Sequence, residues 1–490
     1  MGVSTMEKKS YTREEIAQRI VDYGDILVIH SNKIYRLNSW IKYHPGGEMV
    51  ILHMVGRDAT DEINAYHPDH VLRHKLPLYY FGDVNKEDSD TYQSIIPPLQ
   101  FSNHKKDLNN NRGLTAELLL STDNENTIDA ADQKDIVEKY RQLYSKLRTL
   151  GLFQCNYYDY ARECVRYLFL AFFAFYFFTT ATKSWHYYLS AIFLGAFWHQ
   201  LTFTAHDAGH LAITHSYRID TFIGISIANL LGGISIGWWK HHHNIHHLVT
   251  NSPEHDPDIQ HLPFFAVTAK FFQSIYSTYY KRILSYTWVS AFVIQFQHFT
   301  YYIIMCFARF NLQIQSYIYL YKHSNAPYRY VEILTILIYW CWFIGLLSLI
   351  PTYTERVIYL LLCYMVTMPL HVQITLSHFG MSTEDYGPSE SFAAKMLRTT
   401  MDIACPTWLD FFHGGLQYQA VHHLFPRMPR HKLRQASDFV KSYADEVGLK
   451  YHMYGFVHGN IKVLGALKDV AMQVKLMRDV AKANIMFNLH

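Results

Sequence analysis

Residues 187–210 read YYLSAIFLGAFWHQLTFTAHDAGH, with no Asp, Glu, Lys or Arg before Asp207 and with histidines at 206 and 210. The apolar part, 187–205, approaches the roughly 20 residues that carry a helix across a bilayer. Side chains four apart share one helix face, so His206 and His210 can direct two ring nitrogens at one point. The stretch predicts a membrane helix that ends in metal ligands, and the rest of the chain is read outward from it.

Three more runs have the same apolar character: 165–182, 331–350 and 357–376. Short connections, Lys183 to His186 and Pro351 to Arg356, join the four runs into two hairpins, each returning the chain to the side it left. Runs 219–237 and 287–308 are weaker, and the second carries Gln295, Gln297 and His298, which suits a helix lying in the membrane interface. The segments after 205 and after 376 therefore share a side, and histidines concentrate there. His243-Asn-Ile-His246-His247 and Gln419-Ala-Val-His422-His423 repeat the helical ligand spacing, and His378 follows the fourth run.

Seven box imidazoles (His206, His210, His243, His246, His247, His422, His423), with Gln419 and His378 as further ligands, exceed what one four-coordinate zinc can use. Two ions are the simplest account, and a nitrogen-rich shell with few carboxylates suits iron. The soluble di-iron carboxylate type is excluded, because it requires Glu-x-x-His and the sequence contains none. His199, His298 and His371, single residues at run boundaries, read as interfacial or hydrogen-bonded groups. For His241, His242, His255 and His261, beside the second box, supporting and surface roles both stand open.

Composition agrees with a membrane-embedded body. Of 490 residues, 50% are hydrophobic, 16% aromatic and 17% charged, below the roughly 25% charged fraction of soluble domains. Histidines, 30 of them, outnumber the 23 glycines, and a net charge of +3 is too small for a nucleic-acid binder. A mean hydropathy of -0.07 then averages a polar part with an apolar one. Six scattered cysteines form no C-x-x-C pair, which removes structural zinc on thiolates. The first 19 residues have no apolar core of a secretory signal, so the head is expected in the cytosol.

The polar part begins with a small α+β domain, residues 11–85, in which β-like runs alternate with charged helical stretches. Trp40-Ile-Lys-Tyr-His44-Pro-Gly-Gly47 sets a histidine before a turn whose glycines allow close approach to a flat ligand. His67 follows it. Two imidazoles from opposite sides fill both axial positions of a haem iron, leaving no site for dioxygen and hence an electron carrier; His70 competes for the second position. Glu48, Asp58, Asp61 and Glu62 read as a solvated acidic face, with steering of a basic reductase as the functional alternative. Residues 86–133 read as a flexible linker. An amphipathic helix with Ile136, Tyr140, Leu143, Leu147 and Leu150 then opens a body spanning 134–430, and 431–490 read as a cytosolic helical tail. The expected fold is multi-domain: the α+β head, then an all-α membrane domain with four transmembrane helices and a cytosolic histidine-rich cap.

On these residues the head resembles a cytochrome b5 domain, and the body resembles the membrane fatty-acyl desaturases of the cytochrome b5 fusion, or front-end, group. The motifs are His44-Pro-Gly-Gly47, HDAGH (206–210), HNIHH (243–247) and QYQAVHH (417–423), where glutamine replaces the first histidine of the third box. Trp238-Trp239-Lys240, Leu248-Val-Thr-Asn251, His255-Asp-Pro-Asp-Ile259 and Phe412-His-Gly-Gly415 are further similar to the fungal sphingolipid 8-desaturases. The resemblance implies haem b on His44 and His67, a di-iron centre on the box residues, and electrons from an NADH-cytochrome b5 reductase. It implies an endoplasmic reticulum membrane protein whose haem domain and boxes face the cytosol. The implied reaction is a lipid desaturation that reduces dioxygen to water and places a trans double bond at the 8,9 position of the sphingoid base of a ceramide. The alternatives are a front-end acyl desaturase acting at position 5 or 6, a related lipid hydroxylase, and a membrane-anchored electron carrier with a degenerate body.

Overall fold

The computed structural model describes residues 9–88, 92–101, 114–121 and 128–488. The head comprises β1 (Ser10–Tyr11), α1 (Arg13–Tyr23), β2 (Leu27–His30), β3 (Lys33–Arg36), α2 (Glu48–Leu52), α3 (Thr60–Tyr66), α4 (Asp69–His74) and β4 (Tyr80–Val84). Its four strands run in the order β1-β4-β3-β2, parallel only between β1 and β4. Alternation along the strands divides two apolar clusters: Leu27, Ile29 and Ile34 pack with Ile16 and Ile20 of α1, while Val28 and Tyr35 pack with Val50 and Met54 on the other side. A capping box of Thr12 and Glu15 starts α1.

The segment expected as a flexible linker is docked wherever it is described. Tyr92 Oη and Ile95 N both donate to Gly56 O, at 3.0 and 3.1 Å. Ile95 and Leu119, the latter on α5 (Ala116–Leu120), are fully buried in the α1 cluster. The polar average of 86–133 concealed these anchors, whose burial offsets the ordering cost that keeps such compositions mobile. Residues 89–91, 102–113 and 122–127 of that segment lie outside the described residues.

The body begins with α6 (Lys134–Thr149) and the hairpin of α7 (Tyr157–Thr179) and α8 (Ser184–Gly209). Next, α9 (Tyr217–Gly224) runs on as a π-helical stretch, Ile225–Leu231, and the chain bends by 114° into α10 (Ile236–Leu248). Further on lie α11 (Trp288–Ile294), α12 (Gln297–Met305), α13 (Ala308–Lys322), α14 (Arg329–Ser348), α15 (Tyr353–Met365) and α16 (Met368–Leu376). The chain closes with α17 (Phe392–Thr399), α18 (Asp410–His413), α19 (Gln419–Leu424), α20 (Arg430–Glu446) and α21 (Phe456–Asn488).

Among the described residues, Arg329–Ser348 and Tyr353–Leu376 are long and apolar enough to cross a membrane, and the bent α9–α10 pair would make a third span. Four were expected. Helices α7 and α8 fall short by composition: α7 carries Arg162, Glu163 and Arg166, and α8 is rich in Tyr, Trp and His. The run 287–308 forms two short helices, broken at Gln295–Phe296. The segment expected as a helical tail is helical where described, and parts of it pack on the body. Leu433, Val440 and Tyr443 of α20 pack against Ile136, Tyr140 and Leu143 of α6, and Val463, Leu467 and Val470 of α21 join Tyr301 and Leu376. These apolar faces needed partners remote in sequence, which periodicity alone does not name.

Candidate metal centre and haem crevice

Three elements carry the boxes to one place. Helix α8 ends on His206 and His210, α10 carries His243, His246 and His247, and α19 carries His422 and His423. Gly209 lies so close to the Trp239 ring that a Cβ would overlap it, so α8 meets α10 where the two boxes face each other. The start of α10 is fixed by Ser235, which accepts from Trp238 N, and by the buried Glu332 of α14. That carboxylate accepts from Asn229 Nδ2 at 2.9 Å, Ser235 Oγ at 2.6 Å and Gly237 N at 3.2 Å, a favourable place for an anion at a helix N-terminus. Asp402 accepts from Ala420 N at 2.7 Å and anchors α19. Buried Arg430 pairs with Asp207 and Glu163, tying α20 to the first box.

The imidazoles divide into two neighbouring groups. His206, His210, His243 and His422 bring one ligand atom each within 4.8 Å of one another, and His246, His378 and His423 form a second such group. His247 stands between them, its ring 4.8 Å from both His210 and His422 and stacked at 4.0 Å on His423. Gln419 is buried one turn ahead of His422. The histidines of all three boxes, together with His378, are thus gathered at one locus, and Gln419 lies on the same short helix as His422 and His423.

These residues suit metal ions. Nε2 of His206, His210, His422 and His423 is buried with no hydrogen-bond partner among the described residues, a costly arrangement that a bound cation relieves. Burial, and then the neighbouring imidazoles, push His422 and His423 well below the ordinary histidine value, which keeps them neutral and able to ligate. Sequence reasoning missed the carboxylates. Asp256 accepts from His246 Nδ1 at 2.9 Å, and Asp258 lies 3.0 Å from His242 Nδ1, the outer-layer contacts that fix a ligand's tautomer and orientation. Their signal was the His255-Asp-Pro-Asp run just after the second box.

The head presents an equally specific pocket. The rings of His44 and His67 face each other with centroids 5.9 Å apart. Each Nδ1 lies 3.0 Å from a carbonyl, Gly47 O or Ile63 O, and a carbonyl only accepts, so Nδ1 carries the proton and Nε2 is free to ligate. Burial lowers both histidines, His67 to about 3. Their cavity, about 310 Å³, is walled by head residues such as Val50, Met54 and Ile63, and by Gly209, His210, Lys240 and Asn244 of the body. The arrangement fits a flat bis-imidazole haem, and it pairs His44 with His67 rather than His70.

That shared wall is the second thing the sequence did not show. Ile245, Leu248 and Val249 continue the apolar cluster of Val28, Met49 and Val50, so α10 offers its imidazoles to the metal centre and its opposite face to the head. Asp61 and Glu62 are buried rather than solvated. Arg141 of α6 donates to Asp61 at 2.7 Å, Arg148 pairs with Asp69 at 2.6 Å, and Arg427 donates to Ala65 O at 3.0 Å and Asn64 O at 3.2 Å. Part of the acidic face is therefore taken by the chain's own body.

Comparison with known proteins follows the same division. Residues 12–85 match the cytochrome b5-like heme/steroid binding domain family, and residues 183–455 match the fatty acid desaturase family. The chain is 41% identical to the Delta 8-(E)-sphingolipid desaturase of Emericella nidulans, over 97% of this chain and 98% of the relative. It is 40% identical to the protein of that name from Kluyveromyces lactis, over 96% and 94%. The Delta(8)-fatty-acid desaturase of Borago officinalis is 34% identical over 95% and 96%.

Proposed function

The chain belongs to the fatty acid desaturase family, with a cytochrome b5-like haem domain fused at its head, and from that premise we propose that it places a trans double bond at the 8,9 position of the sphingoid base of a ceramide. Similarity over nearly the full length of relatives named for that reaction supports the substrate. The observation that carries the chemistry is α10, which turns three ligand histidines toward the metal groups and its apolar face toward the haem domain. In balance, dioxygen, two electrons, two protons and the two hydrogens of adjacent methylenes give an alkene and two waters.

His206, His210, His243 and His422 would hold one iron and His246, His378 and His423 the other, with His247 between them and Gln419 beside the third box. The irons, when bound, supply dioxygen activation. Asp256 keeps His246 oriented, and its charge offsets that of cations on neutral ligands. His44 and His67 would hold haem b, which when bound would supply one-electron transfer. An NADH-cytochrome b5 reductase is the proposed source of electrons.

We read α7, α8, α14 and the α15–α16 pair as four spans of an endoplasmic reticulum protein, with head and boxes on the cytosolic side. The outward apolar side chains of α7, among them Leu168, Phe172 and Phe175, support this, as does the turn of each hairpin at the end away from the boxes. Residues 11–85 then form the head and residues 134 onward the body.

Mass spectrometry of sphingolipids and fatty acids, after expression in a host lacking such desaturation, tests the reading. A new double bond in the long-chain base is expected. The name of the Borago officinalis relative favours a second reading, an acyl-chain desaturase; unsaturation confined to acyl chains would overturn the first, and a hydroxylated product would identify a hydroxylase.

A further inference from the structure

The haem crevice reaches the histidine boxes directly at His210, which lines it, and Tyr66 makes a second contact between the two. Tyr66 ends α3 directly before His67 and lines the haem crevice. On its other side its ring stands edge-on to His247, with centroids 6.1 Å apart and planes at 88°. His247 in turn stacks on His423 at 4.0 Å and 11°. A series of ring contacts thus runs from Tyr66, at the wall of the haem crevice and next to His67 in the chain, through His247 to His423.

Several side chains of the body hold this turn. Arg427 and the Tyr144 hydroxyl donate to the backbone carbonyls of Asn64 and Ala65, and Arg141 holds Asp61 at the start of the same helix. The Tyr66 hydroxyl is buried and makes no hydrogen bond among the described residues, so ring contacts, rather than the hydroxyl, set its position. We propose that the Tyr66 ring is the bridge by which electrons leave the head, and that they cross while the head stays docked. Tyr66 then conveys one electron at a time from ferrous haem, left ferric, to a ferric iron of the box centre, left ferrous. Two such transfers supply the electrons that the lipid does not. This inference rests on the haem and metal assignments above, and not on the choice of lipid.

The test uses the full-length protein loaded with haem and iron, without lipid and without oxygen. Haem is reduced by a flash-activated photosensitiser, and its return to the ferric form is followed by absorbance. Tyr66→Phe, which keeps the ring, should transfer within about twofold of the unaltered protein, and Tyr66→Leu should be slower by about tenfold or more. Haem midpoint potential, haem spectrum and iron content should not move in either variant. Amide exchange over residues 61–67, read in the metal-free protein, should also be unchanged, showing that docking survives. Should Tyr66→Leu fail to keep its haem, Tyr66→Met, unbranched and without a ring, takes its place. Transfer in the ringless variant as fast as in the unaltered protein would overturn the proposal and move the route to the His210 wall of the crevice. Transfer in Tyr66→Phe as slow as in Tyr66→Leu would overturn the assignment to the ring. Failure of haem or iron to bind the unaltered protein would strike at the earlier assignments instead.

Discussion

The head and the body both gather imidazoles, but they orient them differently. In the head, His44 and His67 each donate an Nδ1 hydrogen bond to a backbone carbonyl, Gly47 O and Ile63 O. In the body, His246 Nδ1 donates a hydrogen bond to the carboxylate of Asp256. A carbonyl adds no net charge, which suits a carrier cycling by one electron; a carboxylate adds a negative charge, which a buried centre built on neutral ligands needs. Redundancy differs too, since the head offers two imidazoles as candidate ligands and the body at least seven.

The sharpest way to break this comparison is to remove one ligand from each side. His422→Ala should abolish desaturation, with product falling by more than about a hundredfold, beyond the 10–100-fold cost of losing an outer contact. Its haem absorbance should be untouched. Retained desaturation would remove the metal assignment of the third box. His44→Ala should do the reverse, erasing the haem spectrum while non-haem iron content stays the same; a normal spectrum in that variant would assign the haem to another residue.

Asp256→Asn tests the difference in charge directly. It keeps a hydrogen-bond acceptor for His246 while removing the anion, and iron affinity or turnover should fall by about 10–100-fold, read by metal analysis and product formation. An unchanged iron content would show that orientation alone matters there.

The smallest expected effect lies at the boundary between the two regions. The hydrogen bond from Arg148, followed by a smaller opposing cost of burial, holds Asp69 below the usual carboxylate range. A lowered folded value means that the pair's contribution is complete above the ordinary Asp value of about 4 and is lost as pH falls through the lowered one. The pair is partly exposed, so Arg148→Ala should weaken docking by less than about 1 kcal/mol. Amide exchange at α3 and α4 should rise slightly in the variant, and the difference from the unaltered protein should vanish at low pH. A difference that persists in acid would assign the effect to packing of the Arg148 stem.

Much of both sites was legible because ligands on helices keep a local spacing. His206 and His210, the HNIHH and QAVHH boxes, and the HPGG turn are patterns within a few residues. The apolar runs were equally local, although the Tyr, Trp and His content of α8 and the charges near the start of α7 separate a run that reads as apolar from one hydrophobic enough to count as a span. What stayed hidden depends on partners far apart in the chain. Ile95 and Leu119 looked like exceptions in a polar linker until α1 covered them. Asp61 looked solvated because its partner, Arg141, lies 80 residues away.

The sequence by itself determined which side chains can ligate and which segments are apolar, since spacing along a helix and the length of a run are properties of neighbouring residues. Only the tertiary structure decided that four separate histidine segments meet, that His247 lies between two groups of ligands, and that α10 has the haem domain packed on its back. The reason is physical: a metal centre and a docking face are made by side chains converging through space, and convergence is set by packing among distant elements, here Glu332 at the bend, Gly209 against Trp239, and Arg427 beneath α3.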